Sequence, residues 1–197
     1  LSGFQAHKLH RMHFKKALLG LEPELRAEHL KGGALYYDAW TVDSILTLAS
    51  IQDAVSHGAF CFNYTRFKRP CFDDGKVESV EIEDGESGRI YRIPAHTVVY
   101  AGGPYTDELL SDTGEERAEP LIRPTKGVHL VLSGKNLRVD RAVAMHSPRD
   151  GRIVFAIPWG SVTLIGTTDT DFEGDKYDVF ATKEDVDYLL ETANFFF

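Results

Sequence analysis

The 197-residue sequence contains no Gly-x-Gly-x-x-Gly and no Gly-x-x-x-x-Gly-Lys-Ser/Thr. It therefore lacks the glycine-rich turns that cradle a dinucleotide pyrophosphate or a nucleoside triphosphate, and cannot build such a site alone. No Gly-x-Ser-x-Gly nucleophile elbow is present either. Its two cysteines, Cys61 and Cys71, are too few for a disulfide framework and lack the paired spacing of a zinc site, so two reduced thiols of a cytosolic protein are expected. The longest apolar stretches, such as 153–159, fall far short of a bilayer span, and no secretory leader pattern is seen. Basic residues are outnumbered, 22 against 30 acidic, for a formal net charge of -8. That balance opposes a nucleic-acid partner, which needs a concentrated basic surface. A small anionic substrate stays compatible, because a few local cations outweigh the global sign.

What is present reads as globular: 43% of residues are hydrophobic and 26% charged, enough for one compact domain or parts of two. The chain starts at Leu1 inside a helical pattern and stops on the apolar run Phe195, Phe196, Phe197, which leads us to expect a fragment of something longer. Phe4, Leu9, Phe14 and Leu18 predict an amphipathic helix over 3–19. Ile45, Leu48, Ala49, Gln52 and Val55 predict a second over 41–57, ending at Gly58 and feeding a strand at 59–64. Alternation over 76–83 and 89–93 about the turn 84–88 predicts a β-hairpin. A short apolar strand at 97–101 is expected to break at Gly102, Gly103 and Pro104, with Thr106 capping a brief helix through Leu110.

Beyond the acidic loop at Glu115 and Glu116, strands are expected at 126–132, 151–158 and 161–167, the last two joined as a hairpin through Trp159 and Gly160. Ile153, Phe155 and Ile157 fall on one face. The spacing of Thr182 and Asp185 forms a capping box for a final helix with Val186, Leu189, Leu190 and Ala193 as its stripe.

Several motifs carry little. Asp169, Asp171, Glu173, Gly174 and Asp175 imitate the start of a calcium loop, but the twelfth position is Phe180 instead of Glu. His7, His10 and His13 recur every three residues, which on a helix is a solvated basic face more readily than a metal site; no metal is expected. The sequon Asn63-Tyr64-Thr65 reads as chance in a cytosolic protein. The informative cluster is Lys126, His129 and Arg152 with the hydroxyls of Thr167 and Thr168. Arg and Lys neutralise a phosphate, threonines donate hydrogen bonds, and a His takes a hydroxyl proton near neutral pH. Cations flanking strands are also commonly just solvated.

Five blocks in one order sharpen this: Gly-Gly-Ala-Leu-Tyr-Tyr-Asp at 32–38, Val-Val-Tyr-Ala-Gly-Gly-Pro at 98–104, Arg-Pro-Thr-Lys-Gly-Val-His-Leu at 123–130, Gly-Arg-Ile-Val-Phe-Ala-Ile-Pro-Trp at 151–159, and Ile-Gly-Thr-Thr-Asp-Thr-Asp at 165–171. Together they resemble the central region of the flavin-dependent glycerol-3-phosphate dehydrogenases. The resemblance implies oxidation of glycerol 3-phosphate to dihydroxyacetone phosphate, with FAD as cofactor and electrons passing to a quinone. The parent would be cytoplasmic and peripheral on the inner membrane face, with its dinucleotide-binding segment and further substrate arginines outside this chain. The fragment alone would then be inactive and hold FAD weakly.

Carried over by residue, His129 falls where the family places its base, and Lys126, Arg152, Thr167 and Thr168 become contacts to phosphate or flavin. Ala101, Gly102, Gly103 and Pro104 would lie against the nucleotide part of the flavin, where small residues allow close approach. Three positions depart from the pattern: Tyr100 stands in place of Asn, Tyr105 in place of Trp and Ile45 in place of Arg. The implied fold is α+β: an antiparallel or mixed sheet of a substrate-binding domain with helices on one face, plus part of a flavin-binding layer. The expected division is a helical lead-in at 1–40, a partial FAD-binding domain at 41–115 and a truncated substrate domain at 116–197. Strand edges left without partners would favour a homodimer. An amino-acid or glycine oxidase-like flavoprotein and a non-catalytic binding module are the alternatives.

Overall fold

The computed structural model describes residues 8–111 and 119–197. Along the chain run β1 (Arg11–Phe14), α1 (Lys15–Leu21), β2 (Gly32–Leu35), α2 (Asp43–Ser56), β3 (Thr65–Asp73), β4 (Lys76–Asp84), β5 (Ile90–Pro94), α3 (Thr106–Ser111), β6 (Thr125–Lys126), β7 (His129–Ser133), β8 (Val143–His146), β9 (Ile153–Trp159), β10 (Val162–Gly166), β11 (Thr170–Asp171) and α4 (Lys183–Phe196). The architecture is α+β with every strand pair antiparallel. Contacts divide the chain into two compact units: residues 1–38 with 124–197, and residues 39–123.

The first unit is built on a four-stranded sheet in the order β7-β10-β9-β8. Alternation sets its two faces, because successive side chains of a strand point to opposite sides. Met145, Val154, Ala156 and Ile165 are fully buried and meet Leu189 and Ala193 of α4, with Val128, Leu137 and Val139 closing the cluster. Complete burial of Leu189 alone contributes about 2 kcal/mol. Two fully buried threonines are satisfied in the cluster, Thr163 donating to the Leu137 carbonyl at 2.9 Å and Thr192 to the Tyr188 carbonyl at 3.1 Å. The start of α4 carries the expected capping box, Thr182 and Asp185 bonding reciprocally, and the hairpin through Trp159 and Gly160 pairs Val162 with Trp159.

The second unit holds α2, the meander β3-β4-β5 and α3. Helix α2 forms where its periodicity predicts, but Ile45, Leu48 and Val55 of its apolar stripe are each more than half exposed. The hairpin expected over 76–93 is present as β4 and β5.

Five local expectations are corrected. The helix predicted over 3–19 is confined to α1 within the described residues, and 11–14 is extended as β1, paired with β2. A Cβ on Gly32 would meet the His13 carbonyl oxygen at 2.4 Å, so the two strands approach through a glycine, and this pairing overrides the helical pattern. The strand expected at 59–64 is irregular, and extension begins only at Thr65, after Tyr64 at φ 50°; a left-handed residue cannot continue a strand. Residues 97–101 form no ladder with any described residue, and an apolar run becomes a strand only where a partner lies beside it. Thr106 does not cap: α3 starts at Thr106 itself after a 3-10 turn over Gly103–Tyr105, and the Thr106 hydroxyl donates to the Gly103 carbonyl at 2.8 Å. The strand predicted over 126–132 is real but divides at Gly127 and Val128 into β6 and β7. Glu115 and Glu116 lie outside the described residues, as does His7; His10 is exposed.

Candidate active site

The candidate residues of the second half gather at one end of the β7-β10-β9 ladder. His129 opens β7 opposite Gly166, the last residue of β10, and Gly166 stands opposite Phe155 of β9. The next rung on that face is Val131, Leu164 and Ile157. Residues in register share a face, so this side, turned away from α4, is largely apolar and carries two exposed imidazoles toward that end, His129 on β7 and His146 on β8, opposite Ile153. His129 and Val131 are exposed on it, while Gly166 is buried beneath. A Cβ on Gly166 would lie 2.4 Å from His129 Cδ2, 2.8 Å from Cγ and 2.9 Å from Nε2. The ring thus fills the space that any side chain at 166 would take.

Where β6 passes into β7 and β10 into β11, the two strands cross with few atoms to spare. The Thr168 amide donates to the Val128 carbonyl at 3.3 Å, and the Val128 amide donates to the Thr168 hydroxyl at 2.9 Å. The Thr167 hydroxyl donates to the Thr168 carbonyl at 2.9 Å, and a Cβ on Gly127 would come within 2.6 Å of that hydroxyl oxygen. The Gly166–Thr167 peptide is cis. Thr168 is buried and its hydroxyl spent on this crossing, whereas Thr167 is exposed beside His129's strand.

The two cations differ in how free they are. Lys126 is buried, its Nζ 2.6 Å from Asp185 Oδ2 and 3.3 Å from the Phe180 carbonyl, with the two side chains 8% and 4% exposed. Burial pushes the Asp185 carboxyl up, but the Lys126 ammonium and the Thr182 amide and hydroxyl outweigh it and hold it below the usual carboxylate value. Arg152 donates from Nη1 to the Asp169 carbonyl and has Nε 3.4 Å from Asp150 Oδ2, yet 53% of its side chain is exposed. Lys126 is accordingly a strut between β6 and α4, and Arg152 is an anchored but open cation at the same sheet end as His129. Ala101, Gly102, Gly103 and Pro104 belong to the second unit. There Gly103 sits at φ 54°, which the turn itself requires of a glycine, while a Cβ on Gly102 would displace the Leu109 side chain, whose Cδ1 lies 2.4 Å from its place.

Sequence reasoning had His129, Arg152 and Thr167 in view but gave Gly166 no role. Its signal was faint: a glycine ending a strand directly before two threonines. Asp185 was read only as a cap, because its partner lies 59 residues upstream and no local pattern links them.

The chain belongs to the family of FAD dependent oxidoreductases, whose model matches residues 4–197. Among individual relatives, it is 35% identical to the aerobic glycerol-3-phosphate dehydrogenase of Staphylococcus haemolyticus over all of this chain and 35% of that protein. It is equally identical, 35% with the same coverage, to the enzyme of that name from Staphylococcus aureus. The chain thus spans about a third of the length of these relatives. Its fold superposes on the glycerol-3-phosphate dehydrogenase from Bacillus halodurans complexed with FAD with a TM-score of 0.88 and 39% identity, covering 94% of this chain and 37% of that one. A glycine oxidase from Bacillus cereus shares the fold at a TM-score of 0.67 and 20% identity, covering 95% of this chain and 48% of that one.

Proposed function

We propose that this chain is the central part of a flavoprotein that oxidises glycerol 3-phosphate to dihydroxyacetone phosphate and delivers the electrons to a quinone at a membrane surface. The observation that carries the reading is His129, exposed beside the apolar rung of Val131, Leu164 and Ile157, in a chain alike along its whole length to proteins named for that activity. An apolar rung with an imidazole next to it fits a planar heterocycle with a small hydroxylated substrate beside it, and FAD, when bound, supplies the two-electron acceptor. His129, through its unprotonated nitrogen, takes the proton of the substrate's secondary hydroxyl as the hydride leaves the same carbon. Val131, Leu164 and Ile157 keep water from the face.

Arg152 holds the phosphate, its guanidinium orientation already fixed by the Asp169 carbonyl and Asp150. The exposed Thr167 hydroxyl adds a hydrogen bond by turning its proton from the Thr168 carbonyl to the phosphate. Thr168 and Lys126 act one step back, tying down the strands that present these groups. The turn of Ala101, Gly102, Gly103 and Pro104 offers little side-chain bulk for the close approach of the nucleotide part of FAD. No described helix is long and apolar enough to cross a membrane. In this reading the full-length protein meets the quinone by surface association. Steady-state turnover of the full-length protein with a soluble quinone tests the reading. Glycerol 3-phosphate should be oxidised and glycine should not; the reverse preference would replace this reading with the glycine oxidase one.

A further inference from the structure

We infer that Gly166 is a positioning residue whose missing side chain sets the imidazole of His129 on the open face of the sheet. The inference rests on the assignment of His129 as base and adds the group that fixes where the base stands. In an antiparallel sheet the residue opposite on the next strand is the nearest lateral neighbour of a side chain. For His129 that neighbour is Gly166 of β10, flanked on its other side by Phe155 of β9. A side chain at 166 would stand between the two rings. With none there, the imidazole leans over the central strand until its Cδ2 lies 2.4 Å from where a Cβ would be.

The lean cannot be relieved by sliding the strands. The crossing just beyond is fixed by the reciprocal bonds of Val128 and Thr168. Lys126, at the start of the same segment, is held by Asp185 at 2.6 Å. A methyl group at 166 would therefore be accommodated by the ring, which is the exposed and rotatable party, and not by the backbone. Glycines in sheets are commonly covered by a cross-strand aromatic ring for stability alone, so the test must separate a cover from a positioned base.

The experiment compares Gly166→Ala, His129→Ala and the double variant in the flavin-loaded full-length protein. Gly134→Ala serves as control: a Cβ there meets the Ser161 backbone carbonyl oxygen at 2.8 Å, a backbone crowding at the far end of the same strand pair and so a stricter test of general sheet disturbance. Two readouts are taken, turnover of glycerol 3-phosphate and the pH-dependent rate of carbethoxylation of His129 by diethyl pyrocarbonate, followed on its peptide by mass spectrometry. Gly166→Ala should lower kcat on the order of 10²-fold with KM little changed, the cost of a reacting group misplaced by about 1 Å. It should also shift the rate and pH profile of His129 modification, while Gly134→Ala leaves both at parental values. Added to His129→Ala, Gly166→Ala should cost nothing further, since the two act as one unit.

Parental modification kinetics in Gly166→Ala, or equal losses in Gly134→Ala, would overturn the inference. Should Gly166→Ala fail to fold, restoration of flavin binding by the added His129→Ala supports the conflict described, and failure to restore it overturns it. Parental turnover in His129→Ala would reject His129 as base; the modification kinetics would still decide where Gly166 places it.

Discussion

Replacing Lys126 with methionine removes the cation from the buried pair that joins β6 to the first turn of α4. Asp185 is left 4% exposed without its strongest partner. Removal of one member of a buried ion pair costs roughly 3–5 kcal/mol, most of it the penalty of an uncompensated charge. Asp185 would keep hydrogen bonds from the Thr182 amide and hydroxyl, at 2.8 and 2.7 Å, so the cost should lie near the lower end, about 3 kcal/mol. In a protein of several units a single unfolding free energy is ill defined, whereas amide exchange reads local opening directly. Hydrogen–deuterium exchange of the peptide spanning 182–193 should therefore accelerate about 10²-fold, one decade for each ~1.4 kcal/mol. The companion Lys126→Met/Asp185→Leu, which removes both charges, should return most of the protection. Parental exchange in Lys126→Met would refute the reasoning, because it would mean that the ammonium holds nothing in place.

Three further outcomes follow from the same geometry. Thr182→Ala should loosen the first turn of α4 by about 1 kcal/mol through loss of its cap, seen as faster exchange at amides 183–186 with the later turns unchanged. Because the Asp185 carboxyl is held below its ordinary value, its contribution is present above the unfolded pKa of about 3.9 and is lost as pH falls through the lower folded value; acid titration followed by the same exchange should leave the α4 start intact at pH 5 and loosen it below about pH 4, and loosening already at pH 6 would contradict the assignment. Arg152→Met should raise KM for glycerol 3-phosphate about tenfold with kcat nearly unchanged, the loss of one charge-assisted hydrogen bond made equally in ground and transition states. Arg152→Lys should restore that only in part, since an ammonium cannot reproduce the fork held by Asp169 and Asp150.

How much of this was legible in the sequence depended on the range of the interaction. The capping box at Thr182 and Asp185, the turn at Trp159 and Gly160 and the helix over 43–56 depend on neighbours a few residues away, and the pattern there agrees with the structure. The segment 11–14 did not agree: its apolar spacing is helical, yet its partner at 32–35 holds it extended. Residues 97–101 have strand composition but no ladder with any described residue, because composition alone does not supply a partner. At the site, residue types put His129 forward as a candidate base and Arg152 as a candidate phosphate contact, but only the register put Gly166 under the imidazole and only the fold turned Lys126 toward Asp185. A cation beside a strand reads the same in sequence whether it faces a substrate or a buried carboxylate.

Anaerobic rapid mixing of the flavin-loaded full-length protein with glycerol 3-phosphate, followed by bleaching of the flavin absorbance, tests the central claim most directly. The account predicts single-turnover bleaching that glycine does not elicit and that His129→Asn slows by about 10²- to 10⁴-fold, the contribution of a positioned general base. Bleaching by glycine instead, or a parental rate in His129→Asn, would contradict it.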